Sequence, residues 1–389
     1  MRIVHVITRL IIGGAQENTL LSCEGQHAAG HEVTLLTGPA IGPEGTLLDR
    51  ARAGGYRVEI IDSMRRSIHP IRDVITYQYL KKRIRELQPD VVHTHSSKAG
   101  IIGRWAAHAV KSGAKRPCIV HTIHGLAFTA STSPVVNGVY RRLEKWTAPI
   151  TDKIICVADS MRDQSLAAHI GRPDQYVTVY SGINTVPFLN PPTPRDETRC
   201  RLRLSASDAA VGTIARLFEL KGHDDLLAIA PDLCARFPDL RFLWVGDGIL
   251  RESFERQIAV MNLTDRFIFA GLVPPDEVPS LITAMDIVVH PSRREGLARA
   301  LPQASLCGKP VVTYNIDGAI EAVHDGVTGI IVPPFDRAQL SNALARLLEN
   351  PTLRREMGEA GQEFVRQRFD AQVMVDALEK VYRSAIPQT

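Results

Sequence analysis

The chain has 389 residues, 44% hydrophobic and 23% charged, the balance of an ordinary globular protein, which excludes a disordered or collagen-like one. That length suits two domains of roughly 200 residues each, and no apolar run approaches the ~18 residues of a membrane span. The net charge of +4 conceals an asymmetry: residues 1–190 carry 23 Lys/Arg against 15 Asp/Glu and residues 191–389 carry 23 against 27, so the first half either meets something anionic or is simply a solvated basic surface.

The opening MRIVHVITRLIIGG has the look of a signal peptide, but His5, Arg9 and Gly13-Gly14 interrupt it and no small-residue cleavage pattern follows. Residues 3–7 read instead as a buried strand, Gly13-Gly14-Ala15-Gln16 as the turn after it, and residues 17–29 as a helix. Strand patterns recur at residues 31–36, 58–61, 91–95, 119–122 and 153–157, with helical patterns at 77–87 and 99–110. Apolar runs alternating with helices predict a doubly wound parallel α/β sheet. Gly13-Gly14 lacks the third spaced glycine of a dinucleotide fingerprint, and no clear acidic residue follows about twenty positions on, which disfavours a nicotinamide dehydrogenase. The pair is expected to lay bare backbone against a ligand. His93 and His95 alternate at one strand end, and His121 and His124 bracket another. Zinc would need neutral ligands converging on one point, usually with a carboxylate or thiolate. His93 and His95 are therefore read as core or rim histidines with satisfied hydrogen bonds.

Two stretches set positive charge beside apolar and aromatic residues, at residues 77–85 and 139–146. Such helices suit the surface of an anionic membrane, with a plain solvated face as the alternative. No nucleic-acid-binding motif is found. The cysteines (Cys23, Cys118, Cys156, Cys200, Cys234, Cys307) are scattered, with no Cys-x-x-Cys pair, as expected of free thiols in a reducing cytoplasm.

Pro187 and the run Asn190-Pro191-Pro192-Thr193-Pro194 form a stiff connection, so domains are expected at residues 1–187 and 188–371, followed by a closing helix within 372–389. Strand patterns then recur at residues 211–215, 241–245, 266–270, 286–290 and 311–314, a second doubly wound domain. Two similar halves imply a cleft. Arg216 and Lys221 follow the first of these strands, and two cations at a strand's carboxyl end suit a diphosphate: arginine grips oxygens with a planar fork, lysine supplies a point charge. Exposed salt bridges are the alternative. Between the last two strands a helix is expected over residues 297–306, ended by Gly308-Lys309-Pro310. The loop before it holds Arg293, Arg294, Glu295 and Gly296. Glu295 could simply favour the positive end of the helix dipole; its functional reading is a carboxylate that accepts hydrogen bonds from hydroxyls of a sugar or nucleotide.

These motifs resemble retaining glycosyltransferases of family 4, of the GT-B fold. That family's signature is a Glu, seven residues, a second Glu, then a small-residue helix ending in Gly-x-Pro-Val. Glu295-Gly296, Gly308, Pro310 and Val311 stand in register, with Gln303 where the second Glu is expected. Arg216 and Lys221-Gly222 are similar to the family's Arg-x-x-x-x-Lys-Gly element. The resemblance spans most of the chain and is densest over residues 212–332. It implies that Arg216 and Lys221 hold the leaving nucleoside diphosphate, that Gly13 and Gly14 border the diphosphate and sugar, and that His124, in His-Thr-Ile-His-Gly, faces the transferred sugar. It further implies that Gly271, Leu272 and Val273 border the base through main-chain groups, and that the last helix crosses back to the first domain. Glu295 would hold sugar hydroxyls, and Gly296, Leu297 and Ala298 would offer the backbone of a helix start. Gln303 would replace a ribose-binding carboxylate; an amide oxygen still accepts hydrogen bonds, without charge. No Asp-x-Asp occurs, so turnover without added metal is expected. The donor is expected to be a UDP-sugar and the acceptor a lipid-linked or other saccharide at the inner membrane face. A nucleotide-sugar epimerase and a non-catalytic nucleotide-sugar sensor are the rival readings.

Overall fold

The computed structural model describes residues 1–42, 45–110, 116–128 and 133–386. The chain divides into two compact units, Met1–Ile183 with Ala371–Thr389, and Asn184–Asp370. Among the described residues, the first unit holds the strands β1 (Arg2–Ile7), β2 (Glu32–Thr37), β3 (Arg57–Ile60), β4 (Val91–His95), β5 (Cys118–Ile123), β6 (Lys153–Cys156) and β7 (Tyr176–Thr178). All pair in parallel in the order β3-β2-β1-β4-β5-β6-β7. Helices cover both faces of such a sheet, so its central strands are buried nearly throughout instead of alternating. Thus all five residues of β4 are buried, its two histidines included.

The order reverses between β1 and β4, and ligands of open α/β sheets bind outside the carboxyl ends of strands at such a point. Helix Gly14–Ala28 starts there, directly after the turn that follows β1. Against it lies the closing helix Ala371–Ala385, which buries Met374, Val375, Leu378, Val381 and Tyr382, a helical-period stripe. The two helices approach closely: a Cβ added at Gly25 would lie 2.5 Å from Val375 Cγ2.

Helix Pro70–Leu87 begins well ahead of the expected residue 77. The reason is local: His69 caps it, its side chain accepting from the Arg72 N–H, and Pro70 occupies the first turn, where a missing N–H does no harm.

The second unit holds β8 (Ala209–Ile214), β9 (Leu240–Val245), β10 (Phe267–Gly271), β11 (Ile287–His290), β12 (Val311–Tyr314) and β13 (Gly329–Val332). They form a parallel sheet in the order β10-β9-β8-β11-β12-β13, reversing between β8 and β11. Its core centres on the fully buried Trp244, set edge-on to Phe254, Phe267 and Phe269. Both units are therefore doubly wound α/β sheets.

Candidate functional site

In the second unit β8 and β11 are neighbours in register, Ile287 beside Val211 and Val288 beside Gly212, so the loops leaving their carboxyl ends emerge side by side. These are the loops that carry Arg216 and Lys221, and Glu295. They are laced together: the Arg293 N–H donates to Leu220 O at 2.8 Å and Ser292 Oγ donates to the same oxygen at 3.1 Å. Gly222 makes that approach possible. Its φ is +75°, and a Cβ there would lie 2.0 Å from the carbonyl oxygen of Pro291. Arg293 pins the loop from outside by forking onto Asp225 and Asp224, and Arg337 and Tyr314 complete the ring of partners around Asp225.

This packing brings Lys221 Nζ onto Glu295 Oε1, and His290 Nε2 lies 3.0 Å from the same oxygen. The Glu295 side chain is 19% exposed, and its backbone N–H donates to Asp317 Oδ2 at 2.8 Å, tying in the loop after β12. Desolvation pushes the Glu295 pKa up, but Lys221 and His290 overcome it and hold the carboxyl well below the usual carboxylate range. Glu295 is thus an ionised acceptor at neutral pH. An ionised carboxylate only accepts, so His290 must donate from Nε2.

Arg216 stays exposed at the mouth of the same loop, its guanidinium 5.0 Å from the ring centre of Phe218. Gly271 ends the edge strand β10, its carbonyl accepting from Gly246 N–H at 2.9 Å, and Val273 lies two residues on, half-buried. The loop after β9 joins the two places, since Leu217 N–H donates to Asp247 O at 3.0 Å. Arg216, Lys221, Gly271, Val273 and Glu295 therefore share one end of one sheet.

One expectation is corrected. The helix after Glu295 is Ala300–Leu306, so Gly296, Leu297 and Ala298 lie before its start, in a turn, and do not open it. Pro302 explains this. A helix begun at residue 297 would place proline in its interior, where it lacks the N–H for the i−4 bond; begun at Ala300, it places proline in the first turn. Leu297 and Ala298 are buried, at 7% and 6% exposure, and the Gly296 carbonyl accepts from Gly318 N–H at 3.1 Å. Gln303 sits half-buried on the short helix.

Gly13, Gly14 and His124 belong to the first unit. Gly13 caps helix Gly14–Ala28 with extended backbone, its carbonyl accepting from Glu17 N–H. His124 follows β5, half-buried, with Nε2 3.0 Å from His95 Nδ1. His93 and His95 are fully buried and hydrogen-bonded at both ring nitrogens. Sequence reasoning missed His5, which stands beside His93 across β1 and β4, and Tyr382, whose hydroxyl lies 2.6 Å from His93 Nδ1. It also missed His290 and Asp317. The polar residue ending the apolar run of β11 was the available signal for His290; nothing local marked Asp317.

Two parallel doubly wound sheets, one of them presenting Lys221 on an ionised carboxylate at its switch point, are the architecture of the GT-B class. The models of two families, Glycosyl transferases group 1 and Glycosyltransferase Family 4, match residues 194–364 and 12–186 respectively, and together they take in most of the chain. The chain belongs to glycosyltransferase family 4, and it is a glycosyltransferase that draws on a nucleotide-sugar donor. It is 28% identical over 356 residues, 91% of this chain and 89% of the relative, to the UDP-Gal:alpha-D-GlcNAc-diphosphoundecaprenol alpha-1,3-galactosyltransferase of Escherichia coli. It is 27% identical over 361 residues, 90% of each chain, to the GDP-mannose-dependent alpha-(1-6)-phosphatidylinositol monomannoside mannosyltransferase of Mycolicibacterium smegmatis. Among solved structures, Anabaena HepE in complex with UDP-glucose shares the fold with a TM-score of 0.82 at 23% identity, covering 99% of this chain and 100% of that one.

Proposed function

We propose that the protein is a retaining glycosyltransferase that moves a sugar from a UDP-sugar to a lipid-linked acceptor in surface polysaccharide assembly, the second unit holding the donor and the first the acceptor. The observation that carries this reading is the Lys221–Glu295 pair, held by buried His290 where the second sheet reverses. Breaking the bond from C1 to phosphate builds negative charge on the diphosphate while the sugar becomes cation-like. Preorganised cations aimed at that charge are commonly the largest catalytic contribution. Arg216 and Lys221 supply them, and Glu295 holds sugar hydroxyls so that C1 meets the acceptor. His124 contacts the transferred sugar. Gly13 and Gly14 lie along the diphosphate, Gly271 and Val273 along the base, and Gln303 at the ribose. Because the phosphates are held by side-chain cations, turnover needs no metal; full loss in chelator, restored by Mg²⁺ or Mn²⁺, would refute that clause.

The UDP donor and the lipid-linked acceptor are supported by the name of the galactosyltransferase relative, which this chain matches over 91% of its length. A lipid acceptor suits the surface of the first unit. Helix Pro134–Thr147 exposes Val135, Val139 and Trp146 at helical spacing, with Arg142 stacked on Trp146. Helix Pro70–Leu87 exposes Ile71, Val74, Ile75 and Tyr79. Apolar stripes set among basic residues lie in the headgroup region of anionic membranes. Arg83 is not available for this, since it forks onto Glu59 and also pairs with Glu86. No described helix is long and apolar enough to cross a membrane.

The test is a transfer assay with UDP-hexoses and GDP-mannose against polyprenyl-diphosphate-linked sugars, with the product's anomeric configuration read by NMR. Turnover with a UDP-hexose and retained configuration is expected. Turnover with GDP-mannose alone, or an inverted product, would overturn the reading.

A further inference from the structure

At the switch point of the second sheet, one carboxylate oxygen carries two protein donors. Glu295 Oε1 accepts from Lys221 Nζ and, at 3.0 Å, from His290 Nε2. Glu295 Oε2 has no protein partner among the described residues, and the side chain keeps part of its surface open. His290 is held from behind. It is the last residue of β11, buried, in register with Thr313 of β12, whose hydroxyl donates to the His290 carbonyl at 2.9 Å. Its other ring nitrogen, Nδ1, is buried with no hydrogen-bond partner among the described residues. A buried nitrogen left unpaired is unfavourable, so an apolar side chain would suit this strand end better if packing were its whole role. Among the described residues, the one polar contact of the ring is with Glu295.

The two donors differ in what can draw them away. Lys221 is a point charge on a flexible stem, and a bound diphosphate sets two negative charges against the one on Glu295. A donor therefore pulls the ammonium toward itself. His290 meets no such competition, because its ring is buried and its backbone is fixed in the sheet. With neither donor, desolvation would push the Glu295 carboxyl up, since burial is the largest influence on it and acts in that direction.

We propose that His290 is a positioning residue that holds the Glu295 carboxylate in place while Lys221 turns to the donor diphosphate, leaving Oε2 to meet hydroxyls of the transferred sugar. This rests on the reading of Lys221 as a diphosphate ligand and of Glu295 as a sugar contact. His290 donates from Nε2 whether or not Nδ1 also carries a proton, so the hold does not depend on the charge of the ring. The charged and titratable groups touching Glu295 are Lys221 from the loop after β8, His290 from β11 and Asp317 from the loop after β12. Asp317 accepts from the main chain of Glu295 and cannot replace a donor to its carboxylate.

The experiment is calorimetric titration of the full-length protein with UDP and with UDP-glucose, for wild type, His290→Gln, His290→Asn and His290→Leu, with urea midpoints to check each fold. The glutamine amide nitrogen lies as many bonds from Cα as His290 Nε2, whereas the asparagine amide nitrogen lies where Nδ1 does. UDP lacks the transferred sugar, so its affinity should stay within about twofold in every variant, while UDP-glucose should bind about tenfold more weakly in His290→Leu and His290→Asn and within about threefold of wild type in His290→Gln. From about pH 7.5 to about pH 5 the UDP-glucose defect of His290→Leu should widen, because a carboxyl that has lost its buried donor takes up a proton at higher pH. Equal UDP-glucose affinity in all four proteins, a glutamine variant as weak as the leucine one, or rescue by asparagine would overturn the proposal. So would a loss of UDP affinity in step with that of UDP-glucose, which would make His290 a support of the whole loop. A wild type that binds neither ligand would overturn the donor reading, and this proposal with it.

Discussion

Gly222→Ala tests whether the close approach of two loops holds the site of the second unit. Two effects add at this position. A non-glycine residue in the left-handed region loses about 1–2 kcal/mol. The new Cβ would also lie 2.0 Å from Pro291 O and 2.7 Å from Pro291 C, both backbone atoms, so the Pro291–Glu295 loop must retreat by more than an ångström to reach ordinary contact. Overpacking of that kind destabilises by about 1–3 kcal/mol. Gly326→Ala is the control: its φ is +73°, close to the +75° of Gly222, but nothing lies within 4 Å of an added Cβ. The control should lose about 1–2 kcal/mol and Gly222→Ala about 2–5, or a Tm lower by roughly 2–4 °C per kcal/mol for a unit of this size. The retreat also moves Glu295 away from Lys221, and misplacement by about 1 Å commonly loses about a hundredfold in rate. Urea midpoints, UDP affinity by calorimetry and kcat/KM should therefore separate the two variants. Equal destabilisation, with donor affinity intact in Gly222→Ala, would refute the claim that Gly222 sets the geometry of Glu295.

Lys221→Met removes the cation that holds the Glu295 pKa down, so at pH 7 it should destabilise the fold by about 1–3 kcal/mol and weaken UDP binding. A depressed carboxyl stabilises above its unfolded value, near 4.3, and loses that as pH falls toward its folded value; the stability gap between wild type and variant should accordingly narrow below about pH 4. His223→Phe acts with the opposite sign of benefit: burial lowers the His223 pKa to about 3, and neither ring nitrogen has a hydrogen-bond partner among the described residues. Between pH ~6.5 and that value the unfolded state binds the extra proton, so the wild type should lose up to about 1.4 kcal/mol per pH unit there and the variant should lose less, as chemical denaturation at pH 4, 5 and 6 would show. Gln303→Glu should keep activity and tighten donor affinity by about fivefold, since a charged acceptor binds a ribose hydroxyl more strongly than an amide; abolished donor binding would contradict its placement at the ribose. Replacing Val135, Val139 and Trp146 together by Ser should reduce sedimentation with anionic vesicles at least about tenfold while leaving UDP affinity unchanged.

The parts of this protein that could be read from the sequence are those whose physics is local. β4 at Val91–His95 and β12 at Val311–Tyr314 match expectation residue for residue, because each opens on a Val-Val pair directly after Pro-Asp or Lys-Pro and ends at Ser96 or Asn315. The start of helix Pro70–Leu87 was equally local, written in His69 and Pro70, but its first turns bury little, with Ile71, Val74 and Ile75 all exposed. Pro302 likewise announced that the helix after Glu295 starts late, and the small-residue pattern from Gly296 masked it. What lay out of reach was partnership across the sheet. His5 and His95 meet only because β1 and β4 are neighbours, and Tyr382 reaches His93 from 289 positions away. A histidine on an apolar strand looks the same in sequence whether it fills a core or orders a proton. Only the far end of its hydrogen bond tells them apart, and for His5 and His93 those ends are Gln26 on the first helix and Tyr382 on the last.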